Sequence, residues 1–237
     1  MVIAAGIGAV MSGVAILFIL PLHWVEEQTR SADPTLLWWL VPIIPVVGAT
    51  LAGVVHHIMP AHGVGPGVTK VMYAIHRRKS KIPASIAVRK WIASTLTITS
   101  GGSAGAEGPI VTIGSTIGSN IGQRLGSNPQ NTATLLGCGA AAGIASVFNA
   151  PIAGIFFCLE ILLRDFSLRT FTPIVIAAVV SAALTHAILG DETIFARTAE
   201  FSTGAFTWLE IPNYLLLGLI AGTVAALFIR SLYLSQR

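Results

Sequence analysis

Gly101-Gly102-Ser103-Ala104-Gly105-Ala106-Glu107-Gly108-Pro109-Ile110 places one carboxylate among glycines at the head of an apolar segment. Glu107 is the only ionisable group between Lys90 and Arg124. At membrane depth a carboxylate costs roughly 2.5 to 3.5 kcal/mol on insertion scales, so such a group is paired, wetted or used. Glycines beside it let a backbone come close to a ligand. Pro109 suits the first turn of a helix, where its missing N–H has no partner to lose. The pattern predicts a helix that starts near Glu107 with its free amides facing a small anion.

The flanking sequence sets this carboxylate in lipid. Hydrophobic residues make up 54% of the chain and charged residues 10%, with a mean hydropathy of +0.78. Soluble domains carry about a quarter charged residues, so an all-α polytopic membrane protein is predicted. Apolar stretches at 2–22, 36–55, 170–189 and 211–232 are each near the ~20 residues that span a hydrocarbon core and are expected to cross fully. Shorter apolar pieces, broken by Gly and Pro, lie between them at 67–75, 82–100, 107–125, 132–146 and 149–163. Broken helices of this kind line sites at the midplane of transporters.

Arg77, Arg78, Lys79, Lys81, Arg89 and Lys90 form one basic loop, and Arg164 and Arg169 flank another. Glu26, Glu27, Asp33, Asp191, Glu192 and Glu200 occupy the other connections. The basic loops are therefore predicted to be cytoplasmic. This accounts for the formal net charge of +4 without nucleic acid as a partner, since no aromatic residues interleave a basic surface. The lipid bilayer is the expected partner. Met1 leads into apolar residues with no basic stretch, so 2–22 reads as a retained helix and not a cleaved signal. Cys138 and Cys158 sit in apolar helical context and read as packing residues, with no disulfide expected.

Gly105-Ala106-Glu107-Gly108-Pro109, continuing through Ile110-Val111-Thr112-Ile113-Gly114, resembles the Gly-Arg-Glu-Gly-Pro signature of the CLC chloride channel and anion/proton exchanger family. A second segment runs from Gly137-Cys138-Gly139 to Phe148-Asn149-Ala150-Pro151-Ile152-Ala153-Gly154. It is similar to the family stretch ending in Phe-Asn-Ala-Pro-Leu-Ala-Gly, and Glu160 follows at the family's distance. Gly65-Pro66-Gly67-Val68-Thr69 is a degenerate match to a third element, Gly-Ser-Gly-Ile-Pro. The resemblance implies the first inverted-repeat half of a CLC-type fold, with broken re-entrant helices, over 1–190. A connecting loop over 191–210 and the first helix of an incomplete second half over 211–237 would follow. It implies anion transport and no enzyme activity, with no cofactor and with chloride or nitrate as the transported ion. Glu107 becomes the gating carboxylate. Gly65, Pro66, Gly67, Val68, Gly105, Gly108, Pro109 and Ile110 become the anion-binding backbone. Glu160 is a candidate for a proton path. A homodimer at full length is implied, with part of its surface around 170–189, and the expected residence is the plasma (inner) membrane of a prokaryote.

Three departures bear on mechanism. Pro66 stands where most members carry a serine hydroxyl, and plant vacuolar members with proline there favour nitrate. Ala106 replaces the arginine beside the gate, which removes a fixed positive charge. Ile161 follows Glu160 where many proton-coupled members have a second glutamate, so channel and exchanger both stay open. Glu160 also reads as an ion-pair partner for Arg164 one helical turn later. No Gly-x-Phe-x-Pro element appears, so the chain is expected to be a fragment that cannot form a complete pathway alone.

Other readings are bland or accidental. Gly101-Gly102-Ser103-Ala104-Gly105 matches Gly-x-Ser-x-Gly, with Asp165 and His186 later in the order of a serine hydrolase. A nucleophile elbow needs a strand before it, and both flanks here are membrane-like. His56, His57 and His62 have no nearby carboxylate or cysteine and fit no standard metal set. Asn149, before Ala150-Pro151, reads as the cap of the next helix. Gly114, Gly118 and Gly122 read as helix-packing contacts, and the partner half is expected to cover them. A non-transporting membrane scaffold is the remaining class.

Overall fold

The apolar runs fold into helices, and some of these end at an asparagine or a glycine, as at Asn149 and Gly190. The computed structural model describes residues 1–31, 43–59, 67–190 and 211–235, in two compact units, Met1–Arg197 and Thr198–Arg237. The expected loop over 191–210, together with Asp33, His62, Gly65 and Pro66, lies outside the described residues. The first unit contains α1 (Val2–Ser31), α2 (Ile43–Ile58), α3 (Gly67–Arg77), α4 (Ser85–Thr99), α5 (Glu107–Arg124), α6 (Pro129–Phe148), α7 (Pro151–Phe157) and α8 (Leu168–Leu189). A π-helical turn, Cys158–Leu163, extends α7. The second unit contributes α9 (Ile211–Ser235).

Among the described residues, four helices are long and apolar enough to cross a membrane: Val2–Val25 within α1, then α6, α8 and α9. The expected span 36–55 is described only from residue 43 onward, as α2, and its first seven residues lie outside the described ones. One sequence reading is corrected. The piece at 132–146, read as broken, belongs to a continuous 20-residue helix, α6. Its glycines, with Asn131, Thr132, Thr134 and Ser146, lower the hydropathy of that window to 1.3 without interrupting the backbone.

Helix α6 is the centre of the first unit and packs against α1, α5, α7 and α8. Its residues from Leu136 to Val147 are buried throughout. Lipid tails are as apolar as leucine, so helices associate in a bilayer through close van der Waals contact, which favours small residues. At the α5–α6 crossing, a Cβ on Gly114 would collide with the Gly139 carbonyl oxygen, and one on Gly118 with that of Leu135. Gly122 sits against Thr132, 3.0 Å from the side-chain methyl to such a Cβ. These glycines pack helices, as expected, but the face they make is already buried inside this half by α6 and is not left for a partner.

Hydroxyl pairs tie the long helices together. Thr185 Oγ1 donates to Ser12 Oγ at 2.9 Å between α8 and α1, and the Ser146 and Ser181 hydroxyls pair between α6 and α8. Cys158 Sγ donates to the Gly137 carbonyl at 3.3 Å, and both cysteines are buried and free. Outward positions remain apolar, such as Leu17 at 58% and Ile188 at 66% exposure, as a lipid-facing surface requires.

Helix ends follow local chemistry. Asn128 Oδ1 accepts from the Asn131 N–H at 2.8 Å, and Pro129 occupies the first turn of α6. Asn149 does not cap α7. It takes the left-handed position that closes α6, with φ 49, and Ala150 precedes α7 with no side-chain cap. Asparagine is among the few non-glycine residues that enter this region readily. At the start of α8, the Thr170 hydroxyl and then the Ser167 backbone N–H hold the exposed Asp165 carboxyl below its ordinary range. Its contribution to stability is present above the unfolded-state value and is lost as pH falls through the lowered one.

The basic residues also divide. Arg78, Lys79 and Lys81 lie in the connection after α3, whereas Arg89 and Lys90 belong to the second turn of α4 rather than to a loop. Arg89 Nη1 donates to the Met59 carbonyl at 3.1 Å, tying α4 to the end of α2.

Candidate functional site

Glu107 is the first residue of α5. The chain reaches it through a tight turn after α4, in which Gly101 adopts φ +83 and the Gly102 N–H donates to Thr97 O at 2.9 Å. Ala106 precedes the helix with φ −77 and ψ −17 and supplies no side-chain cap. The first intrahelical bond of α5 runs from the Ile110 N–H to Ala106 O at 3.0 Å. Pro109 has no N–H, so the amides of Glu107 and Gly108 are the open donors of this turn.

The Glu107 side chain is exposed and makes no hydrogen bond or ion pair among the described residues. It folds back over its own entry loop, where its Oε2 occupies the space that a Cβ on Gly105 would need, with Cδ 3.2 Å from that position. Gly105 therefore makes room for the carboxylate. Ala106 is buried at 8% exposure, so no larger side chain projects from that position beside Glu107.

A second helix start meets the first. A Cβ on Gly67, the opening residue of α3, would lie 2.7 Å from Gly108 O and 2.6 Å from Thr112 Oγ1. The α3 and α5 backbones thus touch at their first turns, and only glycine at 67 permits this approach. Each start carries amides without intrahelical partners and the positive end of a helix dipole. Gly67 and Val68 are in this way brought beside Gly105, Glu107 and Gly108. Ile110 is fully buried and Pro109 is buried next to it. Thr112 was not apparent from sequence as a site residue. Its hydroxyl donates to Gly108 O at 2.8 Å, and the one sequence sign of this is a threonine four residues after a glycine at a helix start.

Glu160 lies elsewhere. Its π-helical turn packs on α3, and Leu163 from that turn shares a cavity with Ile75, near the far end of α3. Ile75 is eight residues beyond Gly67, about 12 Å along the helix axis. The expected ion pair with Arg164 does not form: the Glu160 and Arg164 side chains are both exposed and make no bond among the described residues. The π turn shifts the register away from the spacing of three to four residues that aligns side chains, and Arg164 turns left-handed with φ 53.

The hydrolase pattern dissolves. Ser103 lies in an exposed turn between two helices, and Asp165 and His186 stand near opposite ends of α8. No group of three potential metal ligands occurs among the described residues, and His56 and His57 lie on the last turn of α2.

Comparison with known proteins follows the same elements. Residues 47–237 match the family described as Voltage gated chloride channel. This chain belongs to the CLC family. It is 31% identical over 219 residues to Chloride channel protein CLC-f of Arabidopsis thaliana, covering 87% of this chain and 26% of that protein. It is 31% identical over 250 residues to Voltage-gated ClC-type chloride channel ClcB of Yersinia pseudotuberculosis, covering 100% of this chain and 59% of the relative. Among solved structures, a slow cyanobacterial Cl-/H+ antiporter superposes with a TM-score of 0.78 at 22% identity, over 98% of this chain and 56% of that one. A CLC-type fluoride/proton antiporter gives 0.68 at 27% identity, over 94% and 54%. The fold is an all-helical polytopic membrane fold that matches part of the CLC transporter structures. The chain spans little more than half the length of these bacterial relatives, and about a quarter of the plant protein.

Proposed function

We propose that this chain forms the first half of an anion-transport pathway for chloride or nitrate, with Glu107 as the gate. The observation that carries this reading is the contact of Gly67 with Gly108, which joins two helix starts beside one unbonded carboxylate. The amides of Glu107 and Gly108 on α5, and those of Gly67 and Val68 on α3, hold the anion, with Gly65 and Pro66 leading into α3. Helix ends and neutral donors bind an anion weakly enough to release it. Pro109 and Ile110 shape the α5 turn without donating, since one lacks an N–H and the other is bonded to Ala106 O. Ionised, the Glu107 carboxylate competes with the anion for the same positive helix ends. Protonated, it gives way.

In this reading, 1–190 is the first inverted-repeat half, 191–210 the connection and 211–237 the start of the second half. The working protein is a homodimer. Residence in the inner membrane of a prokaryote is supported by bacterial relatives that align with all of the chain. A relative over the full chain is also named H(+)/Cl(-) exchange transporter ClcA, of Yersinia pseudotuberculosis, 30% identical. Proton-coupled exchange through Glu160 is the second reading, favoured by that carboxylate being exposed and free of Arg164.

The test is efflux from chloride-loaded liposomes containing this chain together with the complementary half of a CLC relative, with proton uptake recorded in parallel. Efflux from the pair and none from either half alone is the expected result. Proton uptake that stops in Glu160→Gln would establish exchange, whereas efflux from the pair no greater than that of protein-free vesicles would overturn the transport reading. Pro66→Ser is expected to raise chloride flux relative to nitrate by a few-fold, about the effect of one added neutral hydrogen bond of roughly 1 kcal/mol. A ratio unchanged within error would remove Pro66 from selectivity.

A further inference from the structure

Lys70, Arg77, Arg78, Lys79, Lys81, Arg89 and Lys90 follow one another with no carboxylate between Asp33 and Glu107. Orienting helices in a bilayer requires only such charge, and a floppy loop would serve. The loop after α3 is instead fixed to α5. Ser119 Oγ donates to Ser80 O at 2.6 Å and accepts from the Ile82 N–H at 3.0 Å, while Asn120 Nδ2 donates to Ile82 O at 3.0 Å. Lys79 and Ser80 both hold left-handed backbone, φ 51 and 61, and Ser80 is buried.

This anchoring walls one side of a cavity of about 400 Å³. Lys79 and Lys81 line it from the loop; Gln123, Gly126, Ser127 and Thr132 line it from the α5–α6 turn. No acidic residue contributes to it. The Ser127 hydroxyl makes no hydrogen bond among the described residues, so a donor is available beside the two ammonium groups. The surroundings fit interfacial depth. Leu125, 55% exposed, directly follows α5 and precedes Gly126 of the cavity wall, and Tyr73, 52% exposed on α3, carries the Arg78 guanidinium 5.8 Å above its ring, six residues before Lys79. Exposed apolar and aromatic side chains mixed with cations mark the headgroup region.

We infer that this cavity binds a phosphate group, supplied by the headgroup of an anionic phospholipid or by soluble phosphate. It is separate from the anion pathway: α5 starts at Glu107 and reaches the cavity only at its last turn, about 25 Å away along the helix. Two ammonium groups neutralise one phosphate while its oxygens take the Ser127 hydroxyl, and the volume exceeds what a halide needs.

Native mass spectrometry of the purified full chain, titrated with phosphatidylglycerol or phosphatidylcholine, tests this. Lys79→Asn with Lys81→Gln removes both charges, with asparagine chosen because it tolerates φ 51. Each cation near an anionic headgroup is worth about a factor of five, so the double variant should retain phosphatidylglycerol at least about tenfold more weakly. Arg164→Asn, which removes a cation from another left-handed position, should retain it within about twofold, and Lys79→Arg with Lys81→Arg should restore binding. Displacement of bound phosphatidylglycerol by millimolar inorganic phosphate assigns the site to soluble phosphate as well, and persistence assigns it to lipid; both support the phosphate chemistry. Equal retention of the two lipids, or an unchanged double variant, overturns the inference.

Discussion

Glu107→Gln, reconstituted with a complementary CLC half, is expected to keep measurable anion flux while losing its dependence on pH. In the wild-type protein the Glu107 carboxyl lies over Gly105, at the helix start whose amides are proposed to hold the anion. Two unit charges 4 Å apart repel by about 4 kcal/mol at an effective dielectric of 20, so full ionisation should lower flux by about tenfold or more. Flux should therefore be higher in acid than in alkali. Glutamine keeps the shape and cannot ionise. Its flux should vary by less than about twofold over the same range, since only screened, distant charges then titrate. Flux recorded between pH 4 and pH 8 in matched liposomes checks this. A variant with the wild-type pH profile would remove Glu107 from gating.

Gly118→Leu should open the α5–α6 contact. A Cβ at this position meets the Leu135 carbonyl oxygen and would lie 2.7 Å from its carbon and 2.9 Å from Leu136 Cα. These are backbone atoms, which cannot rotate aside as a side chain can. Overpacking costs 1–3 kcal/mol even where side chains yield, so about 3 kcal/mol is expected here. Cys138 on α6 is fully buried and reports the change. In a Cys158→Ala background, maleimide labelling of Cys138 should accelerate by about a hundredfold, since each 1.4 kcal/mol shifts an opening equilibrium tenfold. Labelling at the Gly118 rate would show that this crossing tolerates a side chain. Because α5 carries Glu107 at its first residue, the same substitution should also displace the candidate site.

Several features were legible in the residues themselves because their causes are local. An isolated glutamate followed by Gly108-Pro109 predicted the start of α5 within one residue, since proline in a first turn and open amides are properties of neighbouring positions. Long apolar runs predicted α1, α8 and α9, because a bilayer selects on length and hydropathy. The glycine spacing of α5 predicted a packing face.

Tertiary structure decided what depends on residues far apart in the chain. No local property of Gly67 shows that it touches Gly108, forty-one positions later, yet that contact is what turns two helix starts into one candidate site. The glycines and polar residues of α6 weakened its hydropathy signal, and only the closeness of its neighbours shows that its small residues serve a buried central helix. Asn149 and Arg164 could be weighed as cap and ion-pair partner until the backbone placed both in left-handed geometry. In each case the physical reason is the same: a sequence states which contacts a side chain can make, whereas burial and backbone approach, set jointly by several helices, select the one that it does make.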